Sequence, residues 1–302
     1  MNALVTGGLG FIGSHVVDFL IANSFDVTVI DNLSTGTKAN KNSRAEYIFK
    51  NVEDVTPNEI GDFDYVFHLA ALPRIQPSFT APEEHEFANV IATIRLLELF
   101  KESKRLKKFV YSASSACYGN PAITPTPETE QIAPLSPYAL QKYAAEQYCL
   151  ILGERNQIPV VTLRYFNAYG PRSFNPNNKF NAYTSVIGIF HHQKMNGEKL
   201  TITGNGLQER DFVHVKDIAN ANFLAATSGL SNRMYNVGFG KCFSILDIAK
   251  KFNHPYIFIP ERKGEAKITL ADISKIKTEL GWIPEINLEE GIQSYADYEK
   301  VN

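Results

Sequence analysis

Asn2-Ala3-Leu4-Val5-Thr6-Gly7-Gly8-Leu9-Gly10-Phe11-Ile12-Gly13 decides the fold. A short apolar strand runs into a glycine turn, and residues 15–22 then carry apolar side chains at helical spacing. Such glycines permit a tight turn, let backbone N–H groups approach a pyrophosphate and let the helix pack closely on the sheet, while the helix N-terminus favours the anion. Gly7, Gly10 and Gly13 are thus candidate dinucleotide contacts. Residues 25–30 read as the next strand and end at Asp31, placed where an acidic side chain is expected to hydrogen-bond an adenosine ribose. A carboxylate there repels a 2′-phosphate, so the cofactor expected is NAD rather than NADP.

Outward from this unit, strand signals at 46–49, 65–68, 108–111 and 159–164 alternate with helical patterns at 88–102 and 137–155. Alternation of that kind predicts α/β architecture with a doubly wound parallel sheet, a Rossmann fold whose strand ends face the ligand crevice. After Asn167 the texture changes to turn-rich sequence from Gly170 to Asn178, and short strands and helices mix from residue 180 onward. A second, smaller mixed α/β lobe that binds substrate is expected there.

A chain of 302 residues with 44% apolar content can bury a large core. Its net charge of −2 gives no electrostatic case for nucleic acid or an anionic membrane. No apolar run approaches the ~18 residues that span a bilayer, and residues 1–5 read as strand rather than signal peptide, so a soluble cytoplasmic protein is expected. Cys117, Cys149 and Cys242 are isolated and read as reduced packing residues. His191 and His192 are adjacent and face different ways on a helix, so no metal site is expected.

Ser136-Pro137-Tyr138-Ala139-Leu140-Gln141-Lys142 carries the chemistry. Tyr and Lys four apart on a helix project from one face, where the ammonium can stabilise the phenolate. Bringing a phenol from ~10 to ~7 takes about 4 kcal/mol of differential stabilisation. A close ammonium and a positive cofactor ring can supply it.

These motifs together resemble the extended short-chain dehydrogenase/reductases of the NAD-dependent epimerase/dehydratase family, closest to the UDP-hexose 4-epimerases. The resemblance runs through residues 6–14, Asp31-Asn32-Leu33-Ser34-Thr35-Gly36, His68-Leu69-Ala70-Ala71, residues 112–119, the Tyr–Lys pair, Arg164-Tyr165-Phe166-Asn167, residues 210–215 and Arg262-Lys263-Gly264-Glu265. It implies an NAD-binding domain over 1–167, with 212–238 returning to it, and a substrate lobe built from 168–211 and 239–302. It also implies that Tyr138 is the base, that Lys142 holds the nicotinamide ribose, and that Ser114 hydrogen-bonds the reacting sugar hydroxyl.

Cofactor contacts implied by the same resemblance are Phe11 and Ile12 at the pyrophosphate, and Asp31, Asn32, Ser34, Thr35 and Gly36 at the adenosine ribose. Asn51 and Val52 would meet the adenine, where the family commonly has Asp-Ile. Leu69, Ala70 and Ala71 would lie under the dinucleotide, with Asn89 and Phe166 nearby. On the substrate side, Asn167, Arg210 and Arg262 match a diphosphate clamp, suited by the guanidinium fork. Ser185, Val186, Thr201, Ile202 and Thr203 align with uridine contacts and Glu265 with its ribose, while the role of Arg74 is open.

An absence bears on the reaction. Related dehydratases place Asp-Glu directly after the catalytic Thr, and decarboxylases keep a Glu at the second position; here Ser115 and Ala116 stand there. Neither shuttles a proton at neutral pH. The expected activity is therefore 4-epimerisation of a UDP-sugar through a 4-keto intermediate. Another nucleotide-sugar epimerase or reductase, such as a UDP-glucuronate 4-epimerase, is the alternative, and a non-catalytic NAD sensor stands behind both. Thr269 lies where strict UDP-glucose epimerases carry a bulky Tyr, and its small size implies room for an N-acetyl sugar. Family relatives pair through helices matching 88–102 and 138–155, so a homodimer is expected.

Overall fold

A strand such as Ala3-Leu4-Val5, apolar at consecutive positions, has no polar face to give to water and must be covered on both sides. The computed structural model describes residues 1–57, 59–73, 75–174, 185–261, 264 and 266–301, and within them that strand is fully buried. In chain order, β1 (Asn2–Thr6), α1 (Phe11–Ala22), β2 (Asp26–Ile30), β3 (Glu46–Ile48) and β4 (Tyr65–His68) lead into α2 (Ile75–Thr80), α3 (Pro82–Glu86) and α4 (Ala92–Phe100). Next come β5 (Lys108–Ser114), α5 (Pro137–Asn156), β6 (Val160–Tyr165), β7 (Asn167–Tyr169), α6 (Val186–Met195), β8 (Leu200–Thr203), β9 (Glu209–His214) and α7 (Val215–Thr227). The remainder is β10 (Arg233–Val237), β11 (Cys242–Ser244), α8 (Ile245–Lys251), β12 (Tyr256–Ile259), β13 (Ile268–Thr269), α9 (Ser274–Leu280) and α10 (Leu288–Val301).

Seven strands form one parallel sheet in the order β10-β6-β5-β4-β1-β2-β3. Strand order reverses between β1 and β4, which opens a crevice beyond their C-terminal ends. One face of the sheet is packed by Val16, Val17 and Leu20 of α1 with Ile218 and Ala225 of α7. The other is packed by Leu96 and Leu97 of α4 with Ala145 and Cys149 of α5. Among the described residues no helix is long and apolar enough to cross a membrane.

The helix expected over 88–102 starts earlier and is not uniform. Pro82 occupies its first turn, where the missing N–H costs nothing, and residues Phe87–Ile91 form a π-helical turn between α3 and α4. That widened turn carries Asn89 into the core, where Oδ1 accepts the Leu72 N–H at 2.8 Å and Nδ2 donates to the Leu72 carbonyl at 3.3 Å. The cavity-lining segment that follows β4 is thereby tied to the helix behind it.

The smaller lobe is organised around β9. Its first half pairs antiparallel with β11 and parallel with β13, and its second half pairs parallel with β7. β8 and β12 form a separate two-stranded sheet. Phe190, Leu200, Ile202 and Ile248 fill this lobe's core.

A buried ion pair fixes α5 to the large sheet. Arg164 on β6 donates from Nε to both Glu146 carboxylate oxygens at 3.0 Å and from Nη2 to Oε2 at 2.7 Å, with both side chains at most 2% exposed. Thr162 donates to the same carboxylate, and Arg164 Nη1 donates to the Tyr118 hydroxyl, which in turn donates to Asn236 on β10. Glu146→Leu would strand the guanidinium, so the unfolding free energy should fall by about 3–5 kcal/mol. Adding Arg164→Met should restore most of it. Denaturant midpoints check this, and a double variant as weak as the single one would contradict it.

Candidate active site

The crevice is a cavity of about 900 Å³, and the glycine turn forms its floor. Gly7 adopts φ +70°, and a Cβ there would stand 2.7 Å from the Ala70 backbone nitrogen. A Cβ on Gly13 would overlap the Gly7 carbonyl oxygen, so only glycine lets α1 start so close to β1. Gly10 caps α1 without a side chain, leaving the first-turn amides of Phe11 and Ile12 without a competing cap at the cavity wall. Backbone donors, a helix N-terminus and a cradle that any Cβ would fill are what a dinucleotide pyrophosphate requires.

Asp31 lies at the C-terminal end of β2 and lines the cavity. Its carboxylate accepts the Leu9 N–H at 2.9 Å and the Leu33 N–H at 2.7 Å, while burial pushes its pKa up against those two donors. Each oxygen keeps a lone pair for a ribose hydroxyl. Asn32, Ser34 and Thr35 line the same end, with the Ser34 N–H bonded to Asn32 Oδ1. Asn51 and Val52 line it too, but Asn51 is more engaged than the sequence suggests. Its Oδ1 accepts from Asn32 and its Nδ2 donates to Asp54, so an adenine amino group would share Oδ1 with Asn32.

Several residues expected at the cofactor stand behind the wall instead. Asn89 is engaged with Leu72 and Gln141, and so supports the Leu69-Ala70-Ala71 segment that does line the cavity. Phe166 is buried in a small cluster with Cys117, Tyr118 and Ala271. Gly36 lies against the Leu9 backbone.

Helix α5 delivers Tyr138 and Lys142 to the cavity. Ser136 caps it by accepting the Ala139 N–H at 3.2 Å, and Pro137 occupies the first turn. A second acceptor comes from outside the helix, because Ser78 Oγ of α2 takes the Tyr138 N–H at 3.1 Å. Lys142 is 4% exposed, and burial lowers its pKa from the usual 10.5 to about 8. Ser112 and Ala113 line the wall, and the Ser114 hydroxyl just beyond them accepts the Ala116 N–H at 3.2 Å. Below them His68 bridges two hydroxyls, Thr6 Oγ1 at 2.7 Å and Thr93 Oγ1 at 2.9 Å, and burial lowers its pKa to about 3. It is a neutral strut.

Of the residues expected at the substrate, Asn167 and Thr269 meet each other and do not line the cavity. Asn167 Nδ2 donates to Thr269 Oγ1 and to the Asp211 carbonyl, both at 2.9 Å. Asp211 is the hub of this corner, since its buried carboxylate accepts the N–H groups of Phe239, Gly240 and Ala271. Arg210, adjacent to it, donates to the Glu209 and Lys267 carbonyls. Ser185 lines the cavity, whereas Val186 packs against the small lobe's core. Thr201 exchanges hydrogen bonds with Gln193, and Thr203 offers its carbonyl to Gln208. Ile202 is fully buried, so its side chain belongs to the core rather than to a ligand. Arg74, Arg262 and Glu265 lie outside the described residues. Sequence reasoning missed a further wall made by Arg172, Phe174, His192 and Tyr298. No local motif marks it, because Tyr298 lies more than a hundred residues along the chain from the other three.

The chain belongs to the NAD dependent epimerase/dehydratase family, whose sequence profile matches residues 3–238. Among curated relatives, a putative UDP-glucose 4-epimerase from Methanocaldococcus jannaschii is 38% identical over 99% of this chain and 98% of its own. The UDP-glucose 4-epimerase of Thermotoga maritima, solved with UDP-glucose, superimposes with a TM-score of 0.93 at 36% identity, covering 100% of this chain and 99% of that one. The UDP-N-acetylglucosamine 4-epimerase of Methanobrevibacter ruminantium, solved with UDP-N-acetylmuramic acid, gives 0.90 at 37% identity over 98% of both chains.

Lys142 makes a testable linkage. Below pH 8 its amine is charged in both folded and unfolded chains, and burial costs the folded state about 3 kcal/mol. Between pH 8 and 10.5 the folded chain has released the proton and the unfolded chain has not, so this cost fades as pH rises. Lys142→Met should therefore raise stability at pH 7 by up to about 3 kcal/mol, with the gain vanishing above pH 10.5. Chemical denaturation at several pH values checks it, and a pH-independent gain would contradict it.

Proposed function

We propose that this protein is a UDP-hexose 4-epimerase that retains NAD through the catalytic cycle and accepts the N-acetylglucosamine pair as well as, or in preference to, the glucose pair. The observation that carries the reading is that Tyr138 and Lys142 line the same cavity as the glycine turn and Asp31. A nicotinamide dinucleotide bound there supplies the hydride acceptor and, later in the same turnover, the hydride donor.

Tyr138 would take the proton of the sugar 4-hydroxyl as the C4 hydride leaves, and return it after the hydride is delivered to the opposite face of the sugar. The Lys142 ammonium favours the phenolate during that exchange. Ser114 would orient the hydroxyl. Ser115 and Ala116 follow it with no acid, so nothing at that position removes or adds a proton to expel water. Hydride return is then the course left to the oxidised sugar.

We read Arg210 and Asn167, with Arg262, as the diphosphate clamp, and residues 168–211 with 239–302 as the substrate lobe. Thr269 is the specificity position in this reading, and its hydrogen bond to Asn167 adds a constraint. A second copy of the chain is the expected partner, packed on the exposed Leu140, Tyr148 and Ile151 of α5, and light scattering at twice the chain mass tests it.

Purified protein given UDP-glucose or UDP-N-acetylglucosamine, with no cofactor added, should yield the 4-epimers by proton NMR. Retention of NAD with both sugars unchanged would overturn the sugar assignment and direct the assay to UDP-glucuronate. Thr269→Tyr should depress the N-acetyl rate selectively, by roughly 10–100-fold, whereas Thr269→Ser, which keeps the Asn167 acceptor, should leave the ratio nearly unchanged. Equal losses on both sugars in Thr269→Tyr would count against the specificity role.

A further inference from the structure

Lys142 sits in an unusual setting for a buried cation. Glu146, one turn along α5, is the carboxylate most available to it by sequence, yet that group is engaged by Arg164 and Thr162. His68 on β4 is close but neutral, and Cys149 on α5 is a buried thiol whose pKa is raised by its surroundings. Tyr138 lines the same cavity as Lys142 and acts on Tyr111. Among the described residues no side chain accepts a hydrogen bond from the Lys142 ammonium. What faces it is the ring of Tyr111 on β5, whose centroid lies 4.4 Å from Nζ.

Tyr111 is fully buried, between the sheet and α5, with the His68 ring tilted against it at 5.7 Å. Its hydroxyl makes no well-formed hydrogen bond, with Thr93 the polar group beside it. The site therefore uses the ring rather than the phenol. An aromatic face carries the negative part of its quadrupole toward a cation above it, and the attraction grows when both are desolvated. It stabilises charge without adding a base that would compete with Tyr138 for the proton.

We propose that Tyr111 is a positioning residue whose π face holds the Lys142 ammonium in place and keeps it charged, so that it acts on catalysis only through Lys142. Its kinetic consequence rests on the epimerase reading, whereas its effect on Lys142 does not. The charged lysine is what lowers the cost of the Tyr138 phenolate, so weakening the ring should discharge Lys142 at lower pH and narrow the active range from its alkaline side.

The experiment uses the NAD-loaded protein with 13C at the lysine ε-carbons. The Lys142 signal is assigned by its loss in Lys142→Met and titrated by NMR. Tyr111→Phe keeps the ring and should titrate as wild type. Tyr111→pentafluorophenylalanine keeps the shape but inverts the quadrupole, and should lower the Lys142 pKa by about one unit or more. Tyr111→Leu should move it in the same direction. If Tyr111→Leu does not fold, the fluorinated ring decides alone. Unchanged titration in the fluorinated protein would overturn the proposal, as would a fall in Tyr111→Phe equal to that in the fluorinated protein. The alkaline limb of sugar turnover should shift by the same amount. If the wild type turns over no UDP-sugar, the functional reading fails while the titration still decides the role of Tyr111.

Discussion

Two opposite charges meet in the core of the large domain, and the helix that carries Tyr138 and Lys142 hangs from that meeting. Arg164 on the sheet and Glu146 on α5 hold each other through three short hydrogen bonds out of reach of water. A buried pair contributes little net stability against an apolar alternative, because desolvating both ions offsets most of their attraction. Its value here is geometric. It fixes the rotation and the height of α5 against β6, and Tyr138 and Lys142 project from the same helix within about two turns of Glu146. Ser136 and Ser78 then fix the other end of the helix, from inside its own chain segment and from α2.

The charges of the site follow a consistent division of labour. The glycine turn offers an anion backbone amides and a helix N-terminus, while Lys142 stands with Tyr138 elsewhere on the same cavity wall. Glu146 is paired with Arg164 and still favours the Lys142 charge, but burial outweighs it and lowers the Lys142 pKa to about 8. In the smaller lobe Asp211 does for backbone what Glu146 does for a side chain. By accepting three N–H groups it holds the turn after β10 and the strand end after Thr269 in one place, where Asn167 meets Thr269.

Much of this was legible in the sequence because the large domain is written in local patterns. Consecutive apolar residues in β1, the glycine spacing after it, and Asp31 at the end of the next strand each reflect contacts within a single β-α-β unit. Tyr138 and Lys142 were equally legible, since helical spacing alone puts them on one face. Other features were not, for identifiable reasons. Asn89 supports the Leu72 segment rather than standing in the cavity, because a π-helical turn shifts its register, and no propensity marks that turn. Ile202 sits within a uridine-matching motif, yet strand alternation turns its side chain into the core. The ring beneath Lys142 and the Asn167 to Thr269 bond join residues 31 and 102 positions apart, which only the tertiary fold brings together.

In the proposed reaction a hydride passes from a sugar carbon to the nicotinamide and returns to that same carbon, while Tyr138 and Lys142 handle the hydroxyl proton. The most direct measurement is epimerisation of a UDP-sugar carrying deuterium at C4, in ordinary water and without added cofactor, followed by NMR. The epimer should keep its deuterium at C4. An epimer that has exchanged that deuterium for solvent hydrogen would contradict it, because the inversion would then proceed by proton removal at carbon rather than by hydride return.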